Sequence, residues 1–250
     1  MKRKGEAVER VYLEIKNMIH YNLLAPGQKI IYQDLAERLQ VSVTPIVQAL
    51  KRLERSNLVI YKANKGYFVG ELTEQIIEEL YQVREGLETY IVPLVLNNLG
   101  VEALRSIRAA FKEYDGAAKS FPEGRRLMLS DAQFHLKIIE HSGNRAVYDI
   151  LKDVFEQIYL RYKPEYLLKE RVKEAYKEHR AILKSLEQSD VEAVKALISY
   201  HIQNGKKHIL HMIRMQNIMF IQKRHSDELV GSSALAVSSD GKTPPETSRQ

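Results

Sequence analysis

The stretch Gln33-Asp34-Leu35-Ala36-Glu37-Arg38-Leu39-Gln40-Val41-Ser42-Val43-Thr44-Pro45-Ile46-Val47-Gln48-Ala49-Leu50-Lys51-Arg52-Leu53 carries two helical patterns around one turn. Leu35, Ala36 and Leu39 recur at helical spacing and predict the inward face of a short helix ending near Leu39. Ile46, Ala49, Leu50 and Leu53 do the same for a following helix that runs to about Arg55. Between them, Ser42 and Thr44 bring hydroxyls able to cap that helix, and Pro45 falls in its first turn, where a missing N–H costs nothing. Upstream, Val8, Val11, Tyr12, Ile15 and Ile19 make one apolar face of a helix over about 6–22, closed by Ala25-Pro26-Gly27. Downstream, two β-prone runs over 58–61 and 67–69 flank Lys62-Ala63-Asn64-Lys65-Gly66, which predicts a hairpin with a basic tip.

Three helices followed by a basic hairpin is the plan of a winged helix-turn-helix. Its third helix enters the major groove while the wing lies along the backbone or minor groove. Charge agrees with a polyanion partner for this part. Residues 1–72 hold 12 Lys/Arg against 7 Asp/Glu, whereas the remaining residues hold 26 against 25, so almost all of the net +6 lies at the N-terminus. A length of 250 residues with 44% hydrophobic and 28% charged residues excludes a wholly disordered chain. No apolar run reaches the roughly 18 residues of a membrane span, and no leader pattern opens the sequence, so a cytoplasmic protein with no membrane partner is expected. The absence of cysteine removes disulfides, thiolate nucleophiles and thiolate metal ligands, leaving His and carboxylates for any metal.

From Thr73 onward the periodicity predicts helices over 73–98 with a kink at Pro93, 101–118, 123–141, 145–163, 168–187 and 191–222. Asn144 and Asp190 stand as N-caps, and Pro164 interrupts the chain between two helices. The Ser-, Gly- and Pro-rich composition from Ser226 predicts a mobile tail. The expected fold is mainly α: a winged helix-turn-helix with a small β-hairpin wing over 1–72, an all-helical bundle over 73–225, and a tail over 226–250.

Within the bundle, Asp131 and His135 are four apart and project from one helix face, while His179 and His201 fall on two later helices. One carboxylate and three imidazoles meeting from three helices would suit a divalent metal with room for a further ligand. Spacing leaves open the alternative that each His is a satisfied structural residue. Arg84 is similarly double-valued: it is fit to hold a carboxylate bidentately, or to pair on the helix surface with Glu88 one turn on. His208 and His211, late on the last helix, read as surface or packing residues.

The order Ala25-Pro26-Gly27-Gln28-Lys29, Asp34 to Leu39, Val41 to Leu50, Leu53-Glu54 and Lys65-Gly66-Tyr67-Phe68-Val69 resembles the DNA-binding domain of GntR-family transcriptional regulators. The run Asp131-Ala132-Gln133-Phe134-His135, Ser142-Gly143-Asn144, Glu178 to Leu183, Asp190 and His201, with Val83 to Glu88 upstream, resembles the FCD effector domain of the FadR-type subfamily. The resemblance implies a DNA-binding regulator that acts as a homodimer on an inverted-repeat double-stranded operator and responds to a small organic acid. It implies a metal held by Asp131, His135, His179 and His201, with zinc first and nickel or manganese as alternatives, and it places Arg84 on the effector. It also implies DNA contacts from Gln33, Ser42, Val43, Thr44, Val47, Gln48, Lys51, Arg52, Lys62, Lys65 and Gly66.

The chain departs from the family pattern where basic residues usually stand, at Val43, Val47 and Gln33, and where an acidic residue usually stands, at Gln48. Arginine readout of guanine is therefore unavailable at these places, while Gln48 can read adenine and the valines can meet a thymine methyl, which predicts an A/T-leaning operator. A regulator with degenerate DNA specificity is one alternative. A metal-dependent enzyme acting on a small organic acid is another, opposed by the lack of a general base, nucleophile elbow or phosphate loop.

Overall fold

The computed structural model describes residues 4–119 and 124–237, and residues 1–209 form one compact unit with 210–250 as a second. The first three helices are α1 (Lys4–His20), α2 (Tyr32–Leu39) and α3 (Val43–Arg55), followed by the hairpin of β1 (Val59–Lys62) and β2 (Gly66–Val69). The strands pair antiparallel with Val59 opposite Val69 and Lys62 opposite Gly66, and Lys29 adds a bridge to Phe68. Asn64 and Gly66 take positive φ of 59° and 91°, which closes the tip. A winged helix-turn-helix results, as the sequence predicts. Ile46, Ala49, Leu50 and Leu53 are all buried, and α3 packs chiefly against α1. One cap differs: Ser42 stands at the N-cap of α3 but its side chain makes no capping hydrogen bond.

The helical bundle comprises α4 (Glu74–Tyr90), α5 (Val92–Asn97), α6 (Val101–Lys119), α7 (Gly124–Glu140), α8 (Arg145–Arg161), α9 (Lys169–Glu187) and α10 (Val191–Val237). Thr73, Asn144 and Asp190 each accept a backbone N–H in the first turn of the helix that follows. The kink expected at Pro93 is present as a one-residue interruption at Ile91, which keeps αR geometry and whose N–H still reaches the Leu87 carbonyl. Pro93 lies in the first turn of α5, and its ring and missing N–H prevent α4 from running through. The last helix runs beyond its expected end at 222: α10 continues to Val237, into the segment expected as a tail. Residues 238–250 of that expected tail lie outside the described residues.

α8 lies between the winged module and the rest of the bundle. Leu160, 1% exposed, belongs to the apolar core of the winged module together with Val11, Ile15, Leu50 and Leu58, and Tyr159 packs beside it. Lys16 on α1 donates to Glu156 at 2.6 Å. Arg161 is buried next to the end of β2 and has no carboxylate partner among the described residues; its nitrogens donate to the Gln157 carbonyl at 2.8 Å, to Gln157 Oε1 at 3.1 Å and to the Glu71 carbonyl at 3.5 Å. The sequence boundary drawn at 72/73 falls at the N-cap of α4, but the two sides share this packing.

Candidate functional site

Asp131 and His135 sit one turn apart on α7, and α9 and α10 bring His179 and His201 to the same point. His135 Nε2 and His201 Nε2 each stand 3.2 Å from His179 Nε2, and Asp131 Oδ1 stands 3.2 Å from His179 Nε2 and 3.9 Å from His201 Nε2. All four donor atoms lie within 4.8 Å of one another. The three imidazoles are buried, and Asp131 keeps partial exposure. Donors on a tetrahedral ion with bonds of about 2.0–2.1 Å are about 3.4 Å apart, close to the spacing here. The donor set also fits a cation chemically, since three imidazole nitrogens and a carboxylate oxygen are the ligand types that divalent transition metals take.

Around this cluster lies a second layer of buried charge. Glu88 on α4 accepts from His135 Nδ1 at 2.7 Å and from Arg84 Nε at 2.8 Å. Glu178 on α9 accepts from His201 Nδ1 at 2.7 Å, from Arg171 through a bidentate pair at 2.8 and 2.7 Å, and from Asn204 at 2.9 Å. Burial alone would raise both carboxyls, but the Arg84 charge and His135 outweigh it for Glu88, and His201 and Arg171 outweigh it for Glu178, holding each at about 2. Burial, reinforced by His201 and only partly opposed by Asp131, pushes His179 down to about 3, so it is neutral. Its Nδ1 has no hydrogen-bond partner among the described residues. The Tyr114 ring at 4.4 Å and the Phe134 ring at 4.8 Å hold it from either side.

A cavity opens beside Asp131 and His201, lined by Arg84, Arg171, Tyr81, Tyr114 and Tyr162 among others. Burial pushes the Tyr81 hydroxyl up to about 12 and raises Tyr114 and Tyr162 as well, so the three phenols are neutral donors. Arg84 pairs with Glu88, in the interior rather than on the surface, and it is among the residues that line the cavity; its Nη2 has no hydrogen-bond partner among the described residues. The guanidinium lies over the Phe155 ring at 4.4 Å, and Phe155 is in turn 5.7 Å from the His135 ring, so α8 reaches the site as well as the winged module. His208 Nε2 meets the Tyr166 carbonyl at 2.6 Å, in keeping with a packing role.

Sequence reasoning passed over Glu178, Arg171 and the three tyrosines, and it weighed Glu88 only as a surface partner. A usable signal existed in Arg171 and Glu178, seven apart and therefore on one face of α9.

On the winged module, Gln33, Ser42, Val43, Thr44, Gln48, Lys51, Arg52, Lys62 and Lys65 are exposed, and Val47 and Gly66 are half-buried. Two of the cations are already engaged: Arg52 donates to Glu9 at 2.5 Å and lies over the Tyr12 ring at 4.3 Å, and Lys62 lies over Phe68 at 4.6 Å.

Comparison with known proteins gives two family matches, "Bacterial regulatory proteins, gntR family" over residues 7–69 and "FCD domain" over residues 79–204. The chain is 26% identical over 202 residues to an uncharacterized HTH-type transcriptional regulator, YdhC, of Bacillus subtilis, covering 81% of this chain and 90% of that protein. It is 27% identical over 202 residues to the Nta operon transcriptional regulator of Aminobacter aminovorans, covering 81% and 93%. A solved structure of a putative GntR transcriptional regulator from Rhodococcus superposes with a TM-score of 0.70 at 20% identity, covering 82% of this chain and 97% of that one. Among the described residues, no helix is long and apolar enough to cross a membrane.

Proposed function

Because this chain belongs to the gntR family of bacterial regulatory proteins and carries an FCD domain, it is a transcriptional regulator, and we propose that its helical bundle is a metal-anchored sensor of a small carboxylate. The observation that carries this reading is the convergence of three imidazole nitrogens and one carboxylate oxygen beside a cavity lined by Arg84, whose Nη2 has no hydrogen-bond partner among the described residues. Asp131, His135, His179 and His201 hold the ion, zinc first given the nitrogen-rich set, with nickel or manganese as alternatives. A bound metal supplies a Lewis-acidic point of attachment for a carboxylate. Arg84 Nη2 offers that acid a charge-assisted hydrogen bond, and Tyr81, Tyr114 and Tyr162 offer hydroxyls for its remaining oxygens.

A homodimer presents two winged modules to an inverted-repeat operator. The exposed residues of the α2–α3 turn and of α3 face the major groove, and the basic wing follows the backbone. Effector binding modulates operator affinity through whatever difference it makes between two arrangements of the chain. Residues 1–72 serve as the reader and 73–225 as the sensor.

Elemental analysis of the purified protein before and after chelation, paired with thermal shifts in small di- and tricarboxylates, tests the reading. Near-stoichiometric metal that His179→Ala removes, with acid stabilisation that chelation abolishes, supports it. Full metal occupancy in that variant places the ion elsewhere, and stabilisation by the acids that survives chelation removes the metal from effector binding.

A further inference from the structure

We propose that Glu88 and Glu178 are positioning residues of the metal centre, each fixing one imidazole through its Nδ1 and each held in place by its own arginine, Arg84 buried and Arg171 half-buried. The inference rests on the metal-binding reading above. An imidazole that presents Nε2 to an ion carries its proton on Nδ1, and a carboxylate that accepts this proton fixes the tautomer, stops the ring rotating and makes the ligating nitrogen more basic. Both carboxylates stand 2.7 Å from an Nδ1, and in both rings the Nε2 then points to the shared centre.

The arginines explain how two carboxylates survive at 2% and 8% exposure. A buried charge is costly unless paired, and Arg84 and Arg171 each supply the partner within 2.8 Å. Two parallel relays follow: Arg84–Glu88–His135, joining α4 to α7, and Arg171–Glu178–His201, joining α9 to α10. Each Arg–Glu pair is neutral as a unit, so an entering cation meets the single negative charge of Asp131. The third imidazole is built differently. His179 has no acceptor on Nδ1 and is clamped by the Tyr114 and Phe134 rings. Two ligands are thus locked by carboxylates and one by packing, a distinction that the donor set alone does not reveal.

The relays also meet the cavity. Arg84 and Arg171 both line it, and Arg84, whose Nε donates to Glu88, has a second nitrogen, Nη2, with no hydrogen-bond partner among the described residues. An acid that engages Arg84 therefore touches the group that holds the carboxylate of a metal-binding histidine.

The test uses the full chain, with Zn2+ affinity measured by competition against a chromophoric chelator and proton NMR of the Zn2+-loaded protein. Glu88→Gln and Glu178→Gln each keep the side-chain shape and remove the charge, and each is expected to weaken Zn2+ binding by about 10–100-fold. The unaltered chain is expected to show two downfield imidazole Nδ1–H resonances, and each variant to displace or lose one of them, a response that a merely structural carboxylate would not give. Should Glu88→Gln fail to fold, Glu178→Gln, nearer the surface, decides the question by the same two readouts. Zn2+ affinity within about threefold of the unaltered chain, or both resonances unmoved, overturns the proposal while leaving the metal site standing. An unaltered chain that binds no Zn2+ overturns the metal-binding reading itself and the relays with it.

Discussion

Replacing Leu160 by Ala probes how the sensor is joined to the reader. Leu160 stands on α8 of the bundle yet is buried in the core that α1, α3 and the wing enclose. The change removes three carbons. At about 0.8 kcal/mol for each buried methylene that amounts to roughly 2.4 kcal/mol, and the cavity left among Ile15, Leu50 and their neighbours brings the cost to about 3–5 kcal/mol. This loss falls on the joint, so the winged module is expected to melt before the bundle. Calorimetry should show one transition for the unaltered chain and two for Leu160→Ala, with the lower one accounting for the smaller enthalpy. Leu151→Ala, equally buried about two and a half turns earlier on the same helix, is the control: it should cost a similar amount and leave a single transition. A cost below about 1 kcal/mol for Leu160→Ala, or an unsplit transition shifted like that of the control, would refute the idea that this side chain joins the two parts.

Gly70→Ala should destabilise by about 1–3 kcal/mol in urea unfolding, because a methyl there would lie 3.0 Å from the Asn57 carbonyl and from Arg161 Cδ, and 3.2 Å from the Leu58 carbonyl; an unchanged midpoint would show that the strand end can shift. In the metal-free chain, Glu88 and Glu178 are held at about 2, below their ordinary 4.5, so their contribution is complete above pH 4.5 and is lost as pH falls towards 2. His179, at about 3 instead of 6.5, resists charging, so its part is complete above pH 6.5 and declines below it. Melting temperature should therefore hold level above pH 6.5, fall below it and fall more steeply below 4.5; a level profile down to pH 3.5 would contradict the buried network. On DNA, Lys65→Ala should lower the slope of log affinity against log salt by about 1 and weaken all sequences alike, measured by fluorescence anisotropy. A loss confined to one operator would instead mark Lys65 as a base reader.

The winged module was legible because its core repeats every three or four residues within sixty, and the four inward positions of α3 follow from that period alone. Leu160 was not legible there, since nothing in its own helix says that it fills a core built more than 100 residues earlier. Asp131 and His135 share a face by arithmetic, but the meeting of His179 and His201 with them depends on helix packing that only the family resemblance anticipated. Arg84 and Glu88 show the same limit: a four-residue spacing identifies the pair but not its burial, and it is burial that sets the pair against the His135 ring. At the C-terminus, serine and glycine in the composition point to a tail where α10 instead continues to Val237.

The four converging donors contain no sulfur, and the chain has none in thiol form. Sites built on thiolates lose their ion when oxidants convert the ligands to sulfenic acids or disulfides. Imidazole and carboxylate do not follow that path, so an ion bound here as proposed would answer to metal supply and acidity and would not be lost through sulfenic acid or disulfide formation. If the centre binds zinc as proposed, oxidative stress that empties thiolate proteins would leave a loaded copy loaded, and only an unloaded copy would take up the zinc those proteins release.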